Sequence, residues 1–171
     1  MHKLLSRLSG GVFCLTLALS GALFLNAPSA SADEVDRSEL QCLAEALYFE
    51  ARGEPAAGQK AVAEVILNRV DSTQFPASVC GVVKQGGKGG CQFSYNCGGK
   101  SRAIREQAAF QRVTRIAEAA LGGAPRDLTN GALYFHTPAV KPAWSRRFTQ
   151  TTRIGRHIFY RPDTPRKIAS K

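Results

Sequence analysis

The sequence predicts a mainly α, α+β fold: one helical domain with a small β element. Three observations point there. Two consecutive stretches between Ser38 and Val70 carry apolar residues at helical spacing. A further helix-like stretch ends at Gly122-Gly123, and the last third breaks into short strand-like runs.

The first 32 residues stand apart from this domain. Lys3 and Arg7 form a positive head, Gly11 to Leu25 is apolar, and Ala30-Ser31-Ala32 precedes the acidic Asp33-Glu34. That order predicts a secretory signal peptide over 1–32, cleaved after Ala32. The apolar run is short for a span and lacks a basic stop-transfer flank, so no membrane span is expected after cleavage. Cys14, behind Val12-Phe13, does not fit a lipoprotein attachment site. A single domain over 33–162 and a basic tail over 163–171 complete the organisation, with the product exported to the periplasm or the wall.

Cleavage removes Lys3 and Arg7 from 23 bases and none of the 13 acids, leaving 21 − 13 = +8. Such a charge suits nucleic acid, lipid headgroups or the carboxylates of cell-wall peptides. The bases are spread along the chain and no nucleic-acid motif is present, so a nucleic-acid partner is not expected. Four cysteines remain: Cys42, Cys80, Cys91 and Cys97. An even number in an exported chain predicts two disulfides. Of the three pairings, Cys91–Cys97 and Cys42–Cys80 are favoured. The absence of a Cys-x-x-Cys pair argues against zinc, and no cofactor is expected.

The first helix is expected from Ser38, with Gln41 as its capping-box partner, and Leu40, Leu43, Ala44, Leu47, Tyr48 and Ala51 form its stripe. Gly53 and Pro55 divide it from a second helix, about 56–70, apolar nearly all round and therefore central. A short helix after Pro76 carries Val79, Val82 and Val83. Residues 85–100 are Gly-rich loop, and another helix is expected over 102–121. Leu133-Tyr134-Phe135 and His157-Ile158-Phe159-Tyr160 are the strand candidates.

Cleaving a glycosidic bond needs a protonated carboxyl beside the scissile oxygen. Glu45 points away from the apolar stripe of the first helix, whereas Glu50 falls at its edge. Semi-burial there raises a carboxyl pKa towards the range of a general acid, and Glu54 four residues on adds its charge if the helix extends. Helix geometry alone favours Glu50 merely bordering the core beside a Lys or Arg.

A series of motifs decides between these. Tyr48-Phe49-Glu50-Ala51-Arg52-Gly53-Glu54, Gly58-Gln59, Ala61-Val62-Ala63, Asn68-Arg69-Val70, Phe75-Pro76, Val79-Cys80-Gly81-Val82-Val83, Cys91-Gln92-Phe93-Ser94 and Arg153-Ile154-Gly155-Arg156-His157-Ile158-Phe159-Tyr160 follow one another in order. Together they resemble the SleB/CwlJ-type cell wall hydrolase family over about Cys42 to Arg161. The resemblance implies a lysozyme and lytic-transglycosylase-like fold, a cell wall hydrolase catalytic domain over 33–162, and peptidoglycan as substrate. It places the family's catalytic glutamate on Glu50 and makes Glu54 a supporting acid of the cleft. The cysteines resemble an exported Gram-negative subgroup, so general wall turnover is the expected process. The expected reaction is lytic transglycosylation to 1,6-anhydro-N-acetylmuramic acid by a monomer, a route that needs one carboxyl; hydrolysis needs a second group on the opposite face.

Gln92, Phe93, Ser94 and Tyr95 form a candidate sugar-binding loop, with Phe93 alternatively anchoring the loop in the core. Tyr48 either hydrogen-bonds in the cleft or packs; Asn68 and Arg69 are read as structural, and Trp144 as a core anchor or, alternatively, a sugar-stacking ring. His136 and His157 support a rival class, a zinc amidase or endopeptidase, but no His-Glu-x-x-His motif is present. A thiol hydrolase would need a cysteine that the disulfides block. A non-catalytic glycan-binding module is the remaining alternative.

Overall fold

Helix α1 (Arg37–Ala51) begins one residue earlier than its sequence signal, because Asp36 is the cap. Its Oδ1 accepts from the Ser38 N–H and hydroxyl, both at 2.8 Å. A carboxylate there also meets the positive end of the helix dipole. Gln41 therefore makes no capping box and donates instead to Glu45 at 2.7 Å. The computed structural model describes residues 36–87, 90–97 and 102–163. The predicted signal peptide over 1–32 and residues 164–171 of the predicted tail lie outside the described residues.

Leu43, Ala44, Leu47, Tyr48 and Ala51 of the predicted stripe are buried, joined by Ala46. The Gln59 amide donates to the Arg52 and Glu54 carbonyls at 3.3 and 3.1 Å, satisfying groups that the end of α1 leaves open. Helix α2 (Ala56–Val70) is the enclosed centre that its composition predicts. Its two buried charges reach late segments of the chain. Glu64 accepts from the Leu128 and Thr129 N–H groups at 3.0 and 2.9 Å, and Arg69 donates to the Leu133 carbonyl at 2.7 Å.

Helix α3 (Val79–Val83) is capped by Ser78, which accepts from Gly81 N–H. The Glu39 carboxylate of α1 accepts from Val79 and Cys80 N–H at 2.5 and 3.2 Å, and the Cys42–Cys80 disulfide fastens the same two helices. A minimal antiparallel pair, β1 (Gly86–Gly87) and β2 (Gly90–Cys91), leads to a 3-10 turn at Ser94–Asn96 that Cys91–Cys97 closes. Both favoured pairings are present. Helix α4 (Gln107–Leu121) starts five residues after the predicted 102. The Tyr48 hydroxyl accepts from the Arg105 and Glu106 N–H groups at 3.2 and 3.1 Å, holding that segment outside the helix. Ala109, Val113 and Ala117 are the buried face of α4.

Three antiparallel strands follow, β3 (Tyr134–His136), β4 (Thr149–Ile154) and β5 (His157–Arg161), in the order β3-β5-β4. Strand β4 has no apolar alternation to mark it: Thr149 to Arg153 is polar throughout, though rich in β-branched Thr, and it pairs with β5 across a tight turn. Gly155 in that turn has φ +58. One sheet face presents Phe135, Ile154 and Phe159 to the helical core. On the other, Tyr134 and Tyr160 pack against half-buried Trp144, as expected of a structural tryptophan.

Candidate active site

Glu50 is the penultimate residue of α1 and half-buried, at the edge of the buried stripe. Its neighbour Phe49 stacks on Tyr95, with ring centroids 4.5 Å apart, so the disulfide-closed loop is seated beside Glu50. Burial raises the Tyr95 phenol above its ordinary pKa, and the charges of Glu45 and Glu50 push the same way. The loop thus brings an aromatic wall to the carboxyl. Its exposed members are Gln92 and Ser94, while Phe93 is 2 % and Tyr95 6 % exposed.

Glu54, which the motif makes a supporting acid of the cleft, is enclosed. Its side chain is 2 % exposed, and its carboxylate accepts from Arg156 N–H at 2.9 Å and from Arg156 Nε at 2.8 Å. Burial opposes its ionisation, but the Arg156 hydrogen bonds and the charges of His157 and Arg156 outweigh it and hold the carboxyl below its ordinary pKa. Glu54 is thus an ionised tie between the end of α1 and the β4–β5 turn. Gly155 is required there, since a Cβ would collide with Glu54 Oε2. The Tyr48 hydroxyl is likewise engaged, under Arg105 and Glu106, and the ring carries Arg52 over its face at 4.8 Å. Glu54, Tyr48 and Phe93 are therefore all buried.

Two residues matter more than the sequence suggested. Arg156 is joined to Glu54 across 102 positions, a pairing that no local pattern encodes. Arg69, 1 % exposed, has its guanidinium between Phe75, Phe93 and Tyr134 at 5.2, 5.7 and 5.6 Å, so it links α2 to the loop and to β3. Burial lowers it to about 10, still a cation at neutral pH.

The histidines do not converge. His136 pairs across the sheet with Ile158, and His157, the next residue, points to the opposite face. His136 is engaged by the Thr137 carbonyl and Tyr160 hydroxyl, whereas His157 is buried, with its pKa lowered by that burial. Among the described residues no group of three His, Cys, Asp or Glu side chains is placed to hold a metal ion. A groove of about 320 Å³ between α2 and α4, lined by Lys60, Leu67, Ile116 and Leu128, contains none of the predicted site residues.

The profile of the cell wall hydrolase family matches residues 53–160. The chain belongs to the cell wall hydrolase family. Glu50 stands three residues before that match. Among curated relatives, the spore cortex-lytic enzyme of Halalkalibacterium halodurans is 37% identical over 137 residues, 78% of this chain and 37% of that protein. The spore cortex-lytic enzyme of Bacillus subtilis is 38% identical over 127 residues, 71% of this chain and 37% of its own length. The chain thus spans well under half of these two relatives.

Solved structures give the same family. The catalytic domain of the Bacillus cereus SleB protein is 34% identical with a TM-score of 0.53, covering 74% of this chain and 91% of that one. The catalytic domain of the germination-specific lytic transglycosylase SleB from Bacillus anthracis is 33% identical with a TM-score of 0.54, covering 75% and 98%. The lysozyme-like, mainly α architecture expected from the resemblance is the one observed.

Proposed function

We propose that this cell wall hydrolase cleaves the glycan strands of peptidoglycan by lytic transglycosylation, with Glu50 as its single acid and base. The observation that carries the reading is the position of Glu50: half-buried in the last turn of α1, beside a disulfide-closed loop with exposed Gln92 and Ser94. Protonated Glu50 donates to the oxygen joining N-acetylmuramic acid to N-acetylglucosamine, and the C1–O bond breaks. The resulting carboxylate takes the proton of the muramic 6-hydroxyl, whose oxygen bonds to C1 and closes the anhydro ring. Gln92 and Ser94 hydrogen-bond the sugar, while Phe93, Tyr95, Tyr48 and Glu54 hold the wall of the cleft.

Support comes from family membership, from the resemblance to a germination-specific lytic transglycosylase, and from the opposed histidines, which disfavour zinc amidase chemistry. The Glu54 carboxylate, enclosed against Arg156, is a poor candidate for the second group that hydrolysis needs. Export to the periplasm or wall and action there as a monomer complete the proposal. Among the described residues, no helix is long and apolar enough to cross a membrane.

The test is mass analysis of products from purified peptidoglycan, with the protein and Glu50→Gln side by side and a chelator control. Anhydro-muramic products that survive chelation and fall at least about a hundredfold in Glu50→Gln are expected. Reducing muramic ends would move the mechanism to hydrolysis. Stem peptides released only without chelator, and retained in Glu50→Gln, would sink the glycosidase reading.

A further inference from the structure

The positive charge of the domain is not evenly placed. Between Asp36 and Asp127 the sequence has twelve bases against ten acids, whereas between Leu128 and Asp163 it has six against one. The six are Lys141, Arg146, Arg147, Arg153, Arg156 and Arg161, all exposed, and the lone acid, Asp163, accepts from the Thr149 hydroxyl. Among the described residues, only Arg156 of these bases forms an ion pair.

The β4–β5 hairpin sets their spacing. Arg153 and Arg156 stand at its turn end, while Arg147 precedes β4 and Arg161 pairs with Thr149 at its open end. The two ends are about 15–20 Å apart at roughly 3.3 Å per residue. Arg156 differs from the others in being aimed. Glu54 holds its backbone N–H and its Nε, and Nη2 lies over Gly53, 3.6 Å from where a Cβ would be. The side chain nonetheless remains 76% exposed. A guanidinium fixed by one edge and open on the other is built to take a carboxylate. It lies at the end of α1, three residues beyond Glu50.

We infer that the turn end of this hairpin, Arg156 with Arg153, is a recognition site for the free carboxylates of peptidoglycan peptide stems. The inference rests on the proposed glycan-cleaving function and adds to it a class of strand: those still bearing acidic stems. Glu54 acts as a positioning residue in this scheme, since it orients the Arg156 fork without touching the stem.

The experiment compares native sacculi with sacculi whose stem carboxylates have been amidated by carbodiimide coupling, which leaves the glycan intact. Glycan cleavage by the protein is measured on both, and pelleting of Glu50→Gln reads binding without turnover. Native sacculi are expected to be cleaved and bound about three- to tenfold better, with the preference shrinking as salt rises. Arg156→Gln and Arg153→Gln should each bring the native-to-amidated ratio towards one, and Arg156→Lys should retain part of it. Thermal melting checks the fold of each variant, and Arg153→Gln carries the test if Arg156→Gln unfolds.

Equal action of the unsubstituted protein on both sacculi overturns the inference. So does a loss in the arginine variants that is the same on both. Displacement by polyphosphate in preference to polyglutamate reassigns the surface to phosphates and also overturns it. Absence of glycan products with a persisting pelleting preference would defeat the proposed function while leaving this site standing.

Discussion

Glu54 and Arg156 are 102 positions apart, and the carboxylate of the first accepts both the backbone N–H and the Nε of the second. The bond joins the turn after α1 to the turn between β4 and β5, so one pair fixes where the sheet stands relative to the helix that carries Glu50. Removing the carboxylate should therefore be felt as stability lost and as a hairpin displaced.

Glu54→Ala is expected to cost about 2–4 kcal/mol, because the Arg156 backbone N–H and Nε both lose their acceptor and the buried space is emptied. The exposed Arg156 side chain is screened by water, so most of that cost lies in the backbone bond and the emptied space. Glu54→Gln, whose amide oxygen still accepts one bond, should cost about 1–2 kcal/mol. Urea unfolding measures both; a change below about 0.5 kcal/mol in the alanine variant would show the hairpin to be held by other contacts.

Acid should destabilise the domain in two stages. The folded pKa of His157 lies below its ordinary 6.5, so the fold favours the neutral ring; that contribution is complete above 6.5 and is lost as pH falls through the folded value. The folded pKa of Glu54 lies below its ordinary 4.5, so its contribution is complete above 4.5 and disappears below, through its own folded value. Urea midpoints against pH should thus decline below 6.5 and more steeply below 4.5. His157→Gln should flatten the upper stage and Glu54→Gln the lower. A midpoint that rises on acidification between 6.5 and 4.5 in the unsubstituted protein would contradict the His157 assignment.

The two disulfides should separate stability from site architecture. Cys42–Cys80 closes a separation of 38 residues and Cys91–Cys97 one of 6. Loop-closure entropy gives about 4 kcal/mol for the first and about 2 for the second. Replacing the first pair by alanine should lower the urea midpoint more. Replacing the second should lower glycan cleavage more, because Tyr95, seated on Phe49, belongs to the loop that it closes. The reverse order of effects on activity would detach that loop from the site.

Arg69 should behave as a core residue despite its charge. Arg69→Ala leaves a cavity among three aromatic rings and an unpaired Leu133 carbonyl, at a cost of about 3–5 kcal/mol. Arg69→Met fills the space without restoring the bond and should cost about 1–3 kcal/mol. If methionine proved as damaging as alanine, the guanidinium bonds and not the volume would be what the cage requires.

Much of this was legible in the chain. The extent of α2, a short helix carrying Val79, Val82 and Val83, and the buried stripe of α1 followed from periodicity, and the two cysteine pairings present are the ones favoured among three. These are local or nearly local effects, in which a residue's own preferences and those of its neighbours dominate. The motifs from Tyr48 to Tyr160 pointed to the family because they follow one another in order along the chain, and the family's profile matches 53–160.

What the tertiary structure decided was the assignment of partners. Strand β4 has a polar sequence and exists because β5 pairs with it. The start of α4 is delayed because the Tyr48 hydroxyl takes the N–H groups of Arg105 and Glu106. Glu50 and Glu54 were told apart in sequence by position and motif, but the partner of Glu54 was not visible there. The fold sends one to the half-buried end of α1 and encloses the other against Arg156. The physical reason is that burial and ion pairing are set by whichever distant segment arrives at a side chain, and a linear pattern carries the preference of a residue but not its neighbours in space.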